Sequence, residues 1–122
     1  MSRTISLTAA ALAASLALAA PALAGHTAAT PLAGSVGPGF TIKLTKAGKA
    51  VKTLPHGSYK ITVKDQAAIH DFDLFGPGVK KVITSVPFVG TKSVTVTLKK
   101  GTYTFQCDPH ARSGMKGTFK VT

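Results

Sequence analysis

One nine-residue run concentrates side chains able to hold a soft metal ion. In Cys107-Asp108-Pro109-His110-Ala111-Arg112-Ser113-Gly114-Met115 a thiol, an imidazole and a thioether follow the spacing C-x2-H-x4-M. A thiolate and two imidazole nitrogens in a trigonal plane, with a distant thioether on the axis, form a copper ligand set. The sulfurs suit Cu(I) and the imidazoles serve Cu(II) as well, so one fixed cage holds both oxidation states. The run supplies a single imidazole, and His70 is the candidate for the second. Taken alone, an inward Cys is a small core residue, a His near apolar neighbours is a hydrogen-bonded one, and a Met fills a gap. Their combination argues otherwise, because Cys107 is the chain's one Cys and Met115 its one Met besides Met1.

A lone Cys cannot close an internal disulfide. In an exported chain such a thiol is buried and inert, paired between chains, or bound to metal. Export is expected from the N-terminus. Arg3 precedes an apolar run from Ile5 to Ala20, Pro21 breaks it, and Ala22-Leu23-Ala24 offers an A-x-A cleavage site. Residues 1–24 therefore read as a cleaved signal peptide, and the location as periplasmic or extracellular. The apolar run is too short and too Ala-rich for stable membrane insertion. Cleavage after Ala24 leaves 98 of the 122 residues, enough for one domain with a modest core. Residues 25–39, rich in Gly, Ala and Pro, read as a flexible leader, and 40–122 as the domain.

The strand pattern of that domain positions the donors. Phe40, Ile42 and Leu44 alternate with Thr41, Lys43 and Thr45. The same period of two sets Tyr59, Ile61 and Val63 against Lys60, Thr62 and Lys64, and Val94, Val96 and Leu98 against Thr95, Thr97 and Lys99. Phe119 and Val121 close the chain. Such short runs, punctuated by Gly and Pro, predict about seven strands in a two-sheet β-sandwich; Asp65 to Ala68 alone suggests a helical turn. In Gly101 to Cys107 the inward set is Tyr103, Phe105 and Cys107, and in Ile69 to Phe75 it is His70, Phe72 and Leu74. The donors thus fall at strand ends and in one loop, where a sandwich gathers them at a single pole.

Charge narrows the partners. Without Arg3, 14 Lys and Arg face four Asp and no Glu, a net charge of +10. That excess suggests an acidic partner or anionic surface, or simply a solvated face. The lysines form no block and no aromatic residues interleave with them, so no nucleic-acid partner is expected. No Ser/His/Asp arrangement, catalytic carboxylate pair or phosphate loop is visible. A cage filled by four protein ligands leaves no open position for substrate, so the chain is read as not an enzyme. An N-terminal His brace would need cleavage after Gly25 to expose His26, which puts Leu23 where a small residue is preferred.

From Gly101 to Val121, G-T-Y-T-F-Q-C-D-P-H-A-R-S-G-M-K-G-T-F-K-V, the chain resembles the copper loop and last strand of the plastocyanin/pseudoazurin group of cupredoxins. A weaker resemblance covers His70-Asp71-Phe72. It implies an all-β, Greek-key sandwich with one type 1 copper per chain, held by His70, Cys107, His110 and Met115. It also implies that the chain shuttles one electron, with the edge of His110 as the port; the basic charge makes an acidic or anionic redox partner the one expected to dock there, and a monomer is expected. A copper storage or delivery role on the same residues is the alternative. Two departures stand out: Asp71 replaces the Asn that many relatives carry after the first His, and Arg112 and Lys116 interrupt the apolar collar expected around the port.

Overall fold

The period-two runs pair into two five-stranded sheets. The computed structural model describes residues 13–20 and 28–122. Its strands are β1 (Thr30–Val36), β2 (Ile42–Lys46), β3 (Lys49–Ala50), β4 (Thr53–Leu54), β5 (Gly57–Asp65), β6 (Phe72–Gly76), β7 (Val79–Thr84), β8 (Gly90–Leu98), β9 (Gly101–Gln106) and β10 (Lys116–Val121). One sheet has the order β3-β2-β1-β5-β8 and the other β4-β10-β9-β6-β7. The all-β sandwich expected from the sequence is present. Its ten described strands exceed the expected seven because β1 and the two-residue β3 and β4 add to the count.

The leader expected over 25–39 needs correction. Its second half is β1, which lies at the centre of its sheet, antiparallel to β2 and parallel to β5. Leu32 and Val36 are buried there. Gly34 lies between them because a Cβ at that point would sit 2.9 Å from Val63 and 3.1 Å from Phe72. Small residues therefore mark close packing here rather than slack. The domain begins at Thr30 or earlier, not at residue 40. Most of the expected signal peptide lies outside the described residues, and its residues 13–20 carry neither helix nor strand. Among the described residues no helix is long and apolar enough to cross a membrane.

Between the sheets the core is mostly aliphatic on one side and mostly aromatic on the other. Leu32, Val36, Leu44, Tyr59, Ile61 and Val63 face Phe72, Leu74, Tyr103, Phe105 and Phe119. Phe72 stacks on Phe105 with ring centres 5.8 Å apart, and Tyr103 on Phe119 at 5.5 Å. Such contacts add about 0.5–1.5 kcal/mol each beyond burial. The Tyr103 hydroxyl donates to the Pro77 carbonyl at 2.6 Å and accepts the Lys99 N–H at 3.0 Å, and Tyr59 donates to the Pro55 carbonyl at 2.6 Å. Both rings thus bury their bodies while their polar tips fasten the turns at one end of the sandwich. That leaves the opposite end, where β1, β5 and β9 finish and β6, β8 and β10 begin, to carry the donors.

Candidate metal centre

Three elements converge at that end. The inward phase of Tyr103 and Phe105 continues one residue past β9 and buries Cys107 completely. The chain then enters a 3-10 helix, Asp108–Ser113, with Pro109 in its first turn, where the missing N–H costs nothing. Gly114 ends it in the left-handed region at φ 96°, which a residue with a Cβ adopts only under strain. Met115 follows, buried, and the Cys107 N–H donates to its carbonyl at 3.0 Å. The Met115 N–H in turn donates to the His110 carbonyl at 3.2 Å. The loop is therefore closed on itself at both ends of the Cys–Met segment.

His70 arrives from the other side. It precedes β6 rather than standing within it, as the sequence had suggested, and a turn in which its N–H donates to the Ala67 carbonyl at 3.3 Å delivers it. The expected helical turn at Asp65 to Ala68 is in fact this turn, prefaced by an Asp65 carboxylate that accepts the Ala67 N–H at 3.2 Å. The ring of His70 is fully buried, and its Nε2 lies 2.9 Å from the Gly39 carbonyl. A carbonyl accepts only, so Nε2 carries the proton and Nδ1 keeps a free lone pair. Gly37 permits this approach: at φ 75° it turns the chain after β1, and a Cβ there would press on the His70 ring at 3.1 Å.

The donor atoms meet in a triangle. His70 Nδ1 and His110 Nδ1 are 3.1 Å apart, and Cys107 Sγ lies 3.6 Å from the first and 3.4 Å from the second. Among the described residues this is the group whose ligand atoms gather within 4.8 Å. The point equidistant from all three lies about 2.0 Å from each, the length of a bond from a first-row metal ion to an imidazole nitrogen. Three lone-pair donors crowded this closely, with Nε2 of His70 already committed as a donor, fit a cation at their centre. Softness of the thiol adds a preference for copper over harder ions. Burial raises the Cys107 thiol above its usual pKa, which a bound cation would reverse by taking the thiolate.

Of two further residues around the triangle, one escaped the sequence and the other was marked by it. Phe40, expected to face inward with Ile42 and Leu44, is exposed and lies edge-on to both rings, 4.9 Å from His110 and 5.6 Å from His70. An aromatic just before a strand gives no signal of this, because the contact depends on how the β1–β2 turn folds. Asp71, marked by sequence as a departure, is buried, and its Oδ1 accepts the Asp108 N–H at 2.6 Å. Burial is also the main force raising its carboxyl above the usual range, and the Asp108 N–H opposes it.

Comparison with known proteins agrees with this geometry. Residues 38–122 match the family model described as copper binding proteins, plastocyanin/azurin family. Plastocyanin from Daucus carota is 62% identical over 32 residues, which are 25% of this chain and 33% of that protein. The matched stretch thus spans about a third of that relative's length. Among solved structures the chain is similar to the copper protein rusticyanin, with a TM-score of 0.57 and 22% identity over 75% of this chain and 76% of that one. A structure of reduced rusticyanin gives 0.55 and 23%, covering 75% and 78%. At these identities the likeness is one of fold.

Proposed function

This chain belongs to the plastocyanin/azurin family of copper-binding proteins, and from that premise we propose that it carries single electrons between redox partners. Its fold is a cupredoxin sandwich, its metal is copper, and it is not an enzyme. In our reading His70, Cys107 and His110 would hold the ion and Met115 would add a thioether donor. The observation that carries this is the triangle of Cys107 Sγ and the two Nδ1 atoms.

When bound, the copper supplies a one-electron Cu(II)/Cu(I) couple. The residues supply a cage that changes little as the charge changes. The Gly39 carbonyl fixes the tautomer and orientation of His70, the Cys107–Met115 and Met115–His110 backbone bonds hold the loop, and Asp71 joins the two segments. His110 is less buried than His70, which makes its outer edge the port for electrons. Exposed Phe40 lies against its ring and exposed Ile69 precedes His70, apolar surface suited to a partner that docks briefly and closely. We further propose that the chain is exported and acquires copper outside the cytoplasm, as its N-terminal pattern predicts.

The test is a redox titration of the purified, copper-loaded protein followed by its visible spectrum. An intense thiolate-to-Cu(II) absorption that bleaches and returns reversibly supports the proposal. A colourless protein that retains only Cu(I) would overturn it in favour of copper storage or delivery.

A further inference from the structure

The lysines that take no part in the metal centre are unevenly placed. All four acidic residues belong to the metal end: Asp65 ends β5, Asp71 follows His70, Asp73 pairs with Gln106, and Asp108 follows Cys107. At the opposite end Lys46 and Lys49 flank the β2–β3 hairpin and Lys99 and Lys100 make the β8–β9 turn, with no acidic residue beside them among the described residues. The basic excess is therefore displaced away from His110.

Part of that excess rims a groove. β7 and β8 are the outermost strands of their sheets on the same flank, and no ladder joins them. Between them lies a cleft of about 310 Å³ with Val79 and Val96 along it and Lys80, Lys81 and Lys99 around it. Lys81 is opposite Leu74, which is fully buried, so the lysine occupies the inward-facing side of an edge strand while remaining exposed. Lys99 reaches back along the cleft, and its Nζ lies 3.5 Å from where a Cβ on Gly78 would be. Lys80 is near enough to Asp73 to lower its pKa, which leaves Lys81 and Lys99 as the freer pair.

The nine-residue β8 pairs with β5 on one side, and among the described residues no strand pairs with its other side, which offers backbone N–H and C=O groups. We propose that this flank docks an acidic, extended polypeptide segment of a partner. The segment adds as a strand along the free edge of β8, its carboxylates meeting Lys81 and Lys99 and its apolar side chains lying against Val79 and Val96. A polypeptide is favoured over a polysaccharide or lipid surface because it alone can use an open strand ladder, and a flat surface cannot enter a cleft floored by valines. Docking here leaves the edge of His110 clear, so the contact tethers the protein without blocking its metal end.

The probe is a ten-residue peptide alternating Glu and Val, titrated into the 15N-labelled, Cu(I)-loaded protein at low salt. Amide shifts are expected along β8 and at Lys80 and Lys81, with the residues around His110 unmoved. The double variant Lys81→Glu/Lys99→Glu should weaken binding about tenfold, whereas Lys46→Glu/Lys49→Glu, with the same change in net charge, should change it little. Equal losses in both variants would reduce the effect to bulk charge and overturn the proposal. So would shifts centred on the metal end. Binding of heparin or of phosphatidylglycerol vesicles that depends on Lys81 and Lys99, with the peptide leaving β8 unmoved, would overturn it in favour of those polyanions.

Discussion

Asp71 and Asp108 are joined by a bond of 2.6 Å from a backbone N–H to a carboxylate, and that bond links the segment carrying His70 to the loop carrying the other donors. Asp71→Ala removes the acceptor of a hydrogen bond to a carboxylate, at a cost of about 1.5–3 kcal/mol. Urea denaturation of the copper-free protein measures it. Asp71→Asn keeps a carbonyl in place and should leave stability nearly unchanged. It removes a negative charge beside the metal, so at neutral pH the reduction potential should rise, as read by potentiometric titration.

Asp73 behaves differently because one of its oxygens, Oδ1, is buried with no hydrogen-bond partner among the described residues. Burial foremost, then the Asp108 and Asp71 carboxylates, raise its pKa from 3.8 to about 6, against an opposing pull from Lys80. A carboxyl whose folded pKa exceeds its unfolded one binds more protons when native, so stability falls as pH rises between about 4 and about 6. Asp73→Asn should flatten that slope and raise stability at pH 7 by on the order of 1 kcal/mol. The urea midpoint of the copper-free protein across this range is the measurement.

Copper should stabilise the fold through mass action. At free copper a thousandfold above its dissociation constant the gain is about 4 kcal/mol, visible as a higher Tm. Cys107→Ser should abolish both the colour and that increment while the copper-free fold melts as before, because serine is small enough for the buried site.

The Phe40 ring shields both imidazoles yet is itself 62% exposed. Phe40→Ala should therefore change stability by no more than about 0.5 kcal/mol. It should also open the His110 edge and speed oxidation of the reduced protein by ferricyanide, which stopped-flow absorbance would record.

Gly117 pairs with Phe105 across β9 and β10, and the ring lies over it so closely that a Cβ would collide. Gly117→Ala should cost about 1–3 kcal/mol by overpacking. A lowered Tm would show it, and Gly76→Ala under Tyr103 should behave alike.

Much of this was legible in the sequence because its signals were local. The C-x2-H-x4-M run fits between two strands, and the alternation before it gave the inward phase of Tyr103, Phe105 and Cys107 correctly. His70 is brought to Cys107 and His110 as strand phase and family resemblance implied, although it reaches them from a turn. β1 was missed because Gly34 and Ala33 suppress the hydrophobic alternation, and the reason for Gly34 lies in Val63 and Phe72, far along the chain. Phe40 was misplaced for the same kind of reason: periodicity reports a face, while its position depends on the turn before β2. The concentration of acidic groups at one end was half visible, since Asp71, Asp73 and Asp108 flank donors in sequence, but Asp65 joins them only through the pairing of β5.

The direction of β1 fixes how the molecule can be attached to anything. Thr30 pairs with Tyr59 near the start of β5, and Val36 pairs with Asp65 at its end, so the strand enters far from the donors and runs toward them. Seven residues at about 3.3 Å each separate the entry point from the metal end by roughly 20 Å. A linker, surface anchor or electrode coupling placed ahead of Thr30 therefore holds the protein by its lysine-rich end and turns the edge of His110 outward.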